Sequence, residues 1–530
     1  MKKQKQDAPL NEGQEEVAVT SAAADESVSV EGEASAEGQA AAKKPNRLDT
    51  FFGITASGST IKTEVIAGLT TFMAMVYALL VVPGMYGAKD PETGLTVYNF
   101  VSFNAVYIAT ALGAIVGTMM MAFLARMPLA QASGLGASAY VTGTLLGKIA
   151  GFTYANAMVF VLIDGLIFVL LTATGLRKKI LQAIPNEVKG AISVGIGMFI
   201  AFIGFRNSGL VDIGQNENGS FFIGFTSFNV LSGNLNYLTA MAAAITLLTV
   251  IAIGVLSAKK IKGGILWGML GAAVLYYVFA GLGCAWKDAD CVALFKGFTV
   301  DNPFKAFGDW GKESVGQVFA SGFNFSGYLQ DHNAGALVVL IITSALSLCM
   351  IDMFDTLGTL YGACSKGGLI DKDGNPIRLN RCMLSDAVAT CVGSLCGATT
   401  VTTYIEASSG VAAGGKTGFT ALVTGACFVV ALFLSPIAQI IPGCATAAAL
   451  IWVGVLMMSA VKDIEWTNPA AALPAFLTIA VMAFGYSISF GIGIGLISCV
   501  LVKVCTGKVK EISVVTWIIA ALFVLMFIFT

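Results

Sequence analysis

Apolar runs of about 20 residues follow one another along most of this 530-residue chain, separated by short polar stretches rich in Gly, Asn, Asp, Lys and Arg. A helix rises ~1.5 Å per residue, so ~20 apolar residues cross the hydrocarbon core of a bilayer. Most runs carry no polar stripe, which a helix resting on a soluble core would show. The pattern predicts an all-α polytopic membrane protein. Its spans fall at 64–83, 101–124, 129–147, 156–175, 188–205, 236–257, 264–283, 335–361, 382–397, 401–413, 418–438, 443–461, 471–486 and 488–506, fourteen in all. A further apolar segment, 511–530, either spans or lies along the interface.

Two spans depart from the pattern. The third opens Pro128-Leu129-Ala130-Gln131-Ala132-Ser133-Gly134-Leu135-Gly136-Ala137-Ser138-Ala139-Tyr140, where Pro and closely spaced Gly disfavour a continuous helix. The tenth begins with the β-prone run Thr399-Thr400-Val401-Thr402-Thr403-Tyr404. Both read as broken elements, a short extended stretch leading into a half-helix. Unwound backbone at membrane depth needs protein or a polar cavity to satisfy it, so these spans are the candidate site. Seven spans precede residue 300 and seven follow it. An odd number per half inserts the second half upside-down, which predicts a 7+7 inverted repeat of 47–300 and 301–510.

Charge orients this plan. Lys43, Lys44, Arg47 and Lys62 precede the first span, and basic residues follow every even-numbered one: Arg126, Arg177-Lys178-Lys179, Lys259, Lys260, Lys262, Lys366, Lys372, Arg378, Arg381, Lys416, Lys462, Lys508 and Lys510. The bias predicts a cytoplasmic N-terminus and outer loops at about 206–235 and 284–334. Residues 1–46 form an acidic tail expected to be disordered and cytoplasmic, with nine acids and no base between 7 and 42. Nothing in it reads as a cleavable signal peptide.

Composition excludes several classes. Charged residues are only 12% of the chain and the net charge is −1, so no nucleic-acid partner is indicated. His332 is the lone histidine and has no Cys cluster nearby, so neither a metal site nor any other cofactor is expected. Nine of the eleven cysteines lie in or beside apolar runs. Cys284 and Cys291 instead share the second outer loop, and either a disulfide or two free thiols fits that spacing.

Intramembrane acids carry the chemistry, because a charge there costs roughly 2.5 kcal/mol or more on insertion scales. Asp355 lies in Met353-Phe354-Asp355-Thr356-Leu357-Gly358-Thr359, and Glu406 ends Thr402-Thr403-Tyr404-Ile405-Glu406. Asp352, Asp355 and Thr359 share one helical face. Asp164 sits in a span without polar neighbours and reads as structural. Gly410-Val411-Ala412-Ala413-Gly414-Gly415-Lys416-Thr417 fits the Walker A pattern. A working P-loop needs a soluble α/β domain around it, and here apolar segments flank it, so ATP hydrolysis is not expected.

These segments resemble the nucleobase–cation symporter superfamily, and within it the AzgA-like branch of hypoxanthine, guanine and adenine permeases. The likeness runs from about Arg47 to Gly507 outside the two outer loops. It is most specific in Phe354–Leu360, Leu379-Asn380-Arg381, Thr400–Glu406, Gly410–Thr417 and Pro474–Ile479. The resemblance implies a fourteen-span inverted repeat with core and gate domains, and a purine site between the broken third and tenth spans. It also implies proton-coupled transport by alternating access. Asp355 and Glu406 would then be the substrate and proton-coupling acids. Gly136, Ser138, Ala139, Tyr404 and Thr359 would be further substrate contacts. Where the family reads Ala-Pro-Gly-Met-Gly-Leu-Asn-Ala, this chain has Ser133 for the Pro and Ser138 for the Asn. Ser138 lacks the amide that donates and accepts at once, so the choice of base is expected to be decided there.

The expected protein is a multi-pass transporter of the inner or plasma membrane and not an enzyme. Its partners are a purine nucleobase, protons and lipid. The sequence leaves a homodimer open. The alternative is a transporter or channel of the same fold for another solute, such as xanthine, uracil or an organic anion.

Overall fold

Polar side chains cap the N-termini of several apolar helices. Thr60 caps α2 (Ile61–Met75) by accepting from Thr63 N, and α3 (Ala78–Met85) follows after a break at Val76–Tyr77. Ser102 caps α4 (Phe103–Met120), and a Thr153/Asn156 capping box opens α6 (Tyr154–Ala173). A short amphipathic helix, α1 (Arg47–Phe52), precedes them. The computed structural model describes residues 47–89, 96–97, 100–175, 185–215, 221–225, 237–285, 288–296, 302–372 and 375–529. The acidic tail and Arg177–Lys179 lie outside these.

Further along run α7 (Asn186–Asn207), α8 (Tyr237–Ala258), α9 (Gly264–Ala285), the long α10 (Ala334–Lys366) and α11 (Leu379–Cys396). The chain closes with α13 (Gly418–Ala431), α14 (Gly443–Met457), α15 (Pro469–Phe484), α16 (Ile488–Cys505) and α17 (Val514–Phe529). Among the described residues ten helices are long and apolar enough to cross a membrane, and three shorter apolar ones accompany them. Leu170, Val274, Val430 and Phe484 are each more than 60% exposed. Lipid, not water, suits so much bare apolar surface.

Among the described residues three two-stranded ribbons interrupt the helices. β1 (Ala88–Lys89) pairs with β2 (Thr96–Val97), and β4 (Val211–Gln215) with β5 (Phe221–Phe225), each within one connection. The third ribbon joins distant parts of the chain. β3 (Gln131–Ser133) and β6 (Val401–Thr403) run antiparallel in the register Gln131↔Thr403, Ala132↔Thr402, Ser133↔Val401. α5 (Leu135–Tyr140) follows β3, while a 3-10 turn (Ile405–Ala407) and α12 (Ser408–Ala412) follow β6.

The helices pack as two sets that do not follow the chain's midpoint. In one, α11 lies against α4 and α6, α13 against α2 and α4, and α10 against α6. In the other, α14 and α15 lie against α7, with α8, α9 and α16 beside them. Each set draws on both halves of the sequence.

The described part of 284–334, expected as a polar outer loop, is largely helical. Ala289–Lys296 and Pro303–Glu313 are helices, and Asn302 caps the second. Trp310 Nε1 donates to Cys396 O at 2.8 Å and Gly316 N to Leu395 O, so this region plugs the end of α11. These helices escaped the pattern reading because they are short and amphipathic. Cys284 and Cys291 are both free thiols.

Candidate functional site

The β3–β6 ribbon explains why polar backbone is tolerated inside an apolar protein. Its strands satisfy each other, Gly134 N extends the ladder to Thr400 O at 2.7 Å, and Tyr404 N reaches Ala130 O at 3.2 Å. At Gly134 a Cβ would lie 3.1 Å from Thr402 Oγ1 and Cγ2, so a side chain there would crowd the crossing. Buried side chains brace the ribbon from behind. Gln131 Nε2 donates to Asp386 Oδ1 at 3.2 Å and to Thr403 Oγ1 at 3.3 Å, and Thr356 Oγ1 donates to Asp386 Oδ2 at 2.7 Å. Asp386 is fully buried and was not singled out in the sequence.

In front of the ribbon, between the two helix sets, lies a cavity of about 160 Å³. A dry cavity of ~150 Å³ holds one benzene, so this is room for a small planar ring. One set contributes Tyr77, Gly136, Asp355, Thr359, Thr403, Tyr404 and Glu406, and the other contributes Ser193, Ile196, Val453 and Met457. Asp355 and Glu406 are both partly open to it, and among the described residues no basic side chain lines it.

Each acid has a hydroxyl neighbour. Tyr77 Oη donates to Glu406 Oε1 at 2.6 Å, and Thr402 Oγ1 stands 3.5 Å from Asp355 Oδ2. Tyr404 directs its own hydroxyl away, donating to Ser133 O at 2.5 Å, so it offers the cavity its ring. The Tyr77 and Tyr404 rings are 6.5 Å apart. A planar solute here would meet carboxyl oxygens at its edge and aromatic and aliphatic surface on its faces.

Five of the expected residues therefore line one cavity: Gly136, Asp355, Thr359, Tyr404 and Glu406. Ser138 and Ala139 do not. Both are fully buried, and the Ser138 hydroxyl lies 2.7 Å from Thr399 Oγ1, holding α5 to the segment before β6. Asp352 and Asp164 are buried outside the cavity.

Sequence reading passed over Tyr77, Ser193 and Asp386. Tyr77 looks like one more aromatic in an apolar span. The only hint of its role is a hydroxyl in a run otherwise lacking polar groups after Thr71. The break at Val76–Tyr77 turns that hydroxyl toward Glu406.

A family profile described as "Permease family" matches residues 62–494. The chain is 35% identical over 485 residues to Guanine/hypoxanthine permease PbuG of Bacillus subtilis (strain 168), covering 91% of this chain and 100% of that protein. It is 33% identical over 482 residues to Adenine permease AdeQ of Escherichia coli (strain K12), covering 90% of this chain and 95% of that one. Among solved structures it is similar to SLC26A9, with a TM-score of 0.54 at 12% identity, covering 87% of this chain and 68% of that chain. The transmembrane domain of the cyanobacterium bicarbonate transporter BicA gives a TM-score of 0.50 at 15% identity, covering 82% of this chain and 97% of that chain. At such identity the two structures speak for the fold alone.

Proposed function

Because this chain belongs to the permease family that includes the guanine/hypoxanthine and adenine permeases, we propose that it imports a purine nucleobase by proton symport. The observation that carries this reading is the meeting of Asp355 and Glu406, from two separate spans, on one ring-sized cavity without a basic side chain. A purine edge offers adjacent N–H donors and ring or carbonyl acceptors. A carboxylate pairs with two N–H groups, while a protonated carboxyl gives one donor and one acceptor.

In this reading Glu406 holds the base edge and Asp355 takes up and releases the coupling proton. Protonation removes a costly buried charge, so substrate and proton favour each other's entry. Gly136, Thr359 and Tyr404 complete the pocket wall, and Ser138 and Ala139 act from behind it by shaping α5. An organic anion as cargo is not favoured, since both ionisable groups on the cavity are acidic.

The fourteen-span inverted repeat is proposed as the scaffold. The set holding Asp355 and Glu406 is its core, and the set holding Ser193 and Met457 is its gate. With the N-terminus cytoplasmic, the lining residues Ser193, Ser459 and Ala460 lie toward the inner ends of their helices, and we take the cavity mouth to be there. Lys148 Nζ then donates to Gly485 O at 3.1 Å on the outer side, joining core to gate. Alternating access breaks this contact and closes the mouth.

Uptake of labelled hypoxanthine, guanine and adenine into proteoliposomes, with and without an inward proton gradient, tests the reading. Gradient-dependent accumulation of at least one is expected. Uptake indifferent to the gradient removes the symport, and no uptake of any purine removes the substrate class.

A further inference from the structure

The Walker-like string Gly410–Thr417 builds an anion cradle, and its occupant is the protein's own Glu64. Lys416 N donates to Glu64 Oε1 at 3.0 Å. Thr417 N, Thr417 Oγ1, Thr420 N and Thr420 Oγ1 donate to Oε2 at 3.3, 2.9, 3.2 and 2.5 Å. Glu64 is fully buried, so these five donors replace its water. They cluster at the N-terminus of α13, where unpaired N–H groups and the helix dipole favour negative charge. The anion slot that a P-loop keeps for phosphate is filled here by a carboxylate from α2.

The glycines of the string serve the same docking. A Cβ at Gly410 would lie 2.0 Å from Thr71 Oγ1 and 2.6 Å from Ala67 O, both on α2. At Gly415 it would lie 2.9 Å from Ala67 Cβ. Gly414 has a φ of +101°, which side chains rarely adopt. Thr424 Oγ1 adds a bond to Gly68 O at 3.0 Å.

The same two segments meet again at the cavity. α2 leads from Glu64 to Met75, Tyr77 follows two residues on in the break before α3, and Glu406 lies ten residues before Lys416. We infer that Glu64 is a positioning residue for the cavity: seated in the Gly410–Thr420 cradle, it sets the register of α2 that brings Tyr77 Oη onto Glu406. A buried carboxylate with five directed donors has one seat, and a helix transmits that seat along its axis. By helical rise Glu64 and Tyr77 are roughly 20 Å apart, a distance at which substitutions ordinarily act independently. Coupling between them is therefore specific to this inference, which rests on the proposed function only for its uptake readout.

The test is a double-mutant cycle in the full chain with Glu64→Ala, Glu64→Gln and Tyr77→Phe. It is read as KM and maximal rate of purine uptake in proteoliposomes, and as melting temperature in detergent. Glu64→Ala and Tyr77→Phe are each expected to raise KM ~10-fold, and the double variant no more than ~2-fold beyond the worse single one. Glu64→Gln keeps one acceptor oxygen and is expected to stay within ~3-fold of the parent. If Glu64→Ala does not fold, Glu64→Asp replaces it and must show the same coupling with Tyr77→Phe. A double variant ~100-fold impaired, the product of two independent losses, overturns the inference. So does a Glu64 variant that lowers the melting temperature while KM stays put. Should the parent take up no purine, the proposed function fails by itself. The melting-temperature cycle then decides this inference: a double variant less destabilised than the sum supports it, and additive shifts overturn it.

Discussion

Tyr77 and Glu406, 329 positions apart in the chain, are joined by a 2.6 Å hydrogen bond at the wall of the central cavity. The phenol donates, so the acid is held in place before any solute arrives. This contact lies where α2 gives way to α3 and where β6 gives way to a 3-10 turn. Regular structure is interrupted in both segments at the point where they meet.

Removing that donor while keeping the ring tests its part in binding. Tyr77→Phe is expected to raise the KM for purine uptake ~10-fold with little change in maximal rate, since a hydrogen bond to a charged group contributes ~1.5–3 kcal/mol. Uptake kinetics in proteoliposomes give the answer. An unchanged KM would mean that Glu406 is oriented by something else.

The two acids are expected to separate in function. Asp355→Asn should retain substrate exchange across the membrane while losing accumulation driven by a proton gradient. Glu406→Gln should lose exchange as well, because the amide offers the base one acceptor fewer. Counterflow measured beside gradient-driven uptake distinguishes them. Equal loss of both activities in both variants would argue against a division of roles.

Asp386 is a stability residue by its geometry. Asp386→Ala strips acceptors from Gln131 Nε2 and Thr356 Oγ1, both buried. Each unsatisfied polar group costs ~1–3 kcal/mol, so the variant should melt several degrees lower in detergent. Asp386→Asn, which preserves one acceptor, should lose less. Parental melting of Asp386→Ala would show that the ribbon does not depend on this brace.

Lys148 tests the outer contact between the helix sets. Its ammonium donates to Gly485 O and lies 5.8 Å from the centre of the Tyr486 ring, which Arg206 also approaches at 5.5 Å. Lys148→Met removes the bond and the charge while keeping the stem. Thr142 lines a second cavity together with Lys148, Arg206 and Tyr486, so Lys148→Met should raise the reactivity of a Thr142→Cys probe toward impermeant thiol reagents added from outside, by ~3-fold or more for a contact worth about 1 kcal/mol. Unaltered labelling would place the closure elsewhere.

Much of the fold was legible because bilayer physics acts locally. A run of apolar residues satisfies its backbone only as a helix, and the runs ending at Met85, Asn207 and Lys366 all became helices. Polar residues inside such runs announced themselves for the same reason, which is how Asp355 and Glu406 were found. Small polar side chains were less readable. Ser138 looked like a specificity residue, yet its hydroxyl lies 2.7 Å from Thr399 Oγ1, a partner 261 positions away that no local pattern announces. Glu64 was passed over as the edge of a span, and the Gly410–Thr417 string was set aside with no partner in view.

By itself the sequence determined the apolar helices, the breaks near Gly134 and Thr402 and the two acids, each a consequence of a residue and its immediate neighbours. Only the tertiary structure decided that Gln131 pairs with Thr403, that Tyr77 reaches Glu406 and that Glu64 fills the Gly410–Thr417 cradle. Those contacts join residues more than 250 positions apart. The seat of Glu64 depends on how closely α2 approaches α12 and α13 through Gly68, Gly410 and Gly415, which hydrophobic periodicity does not encode.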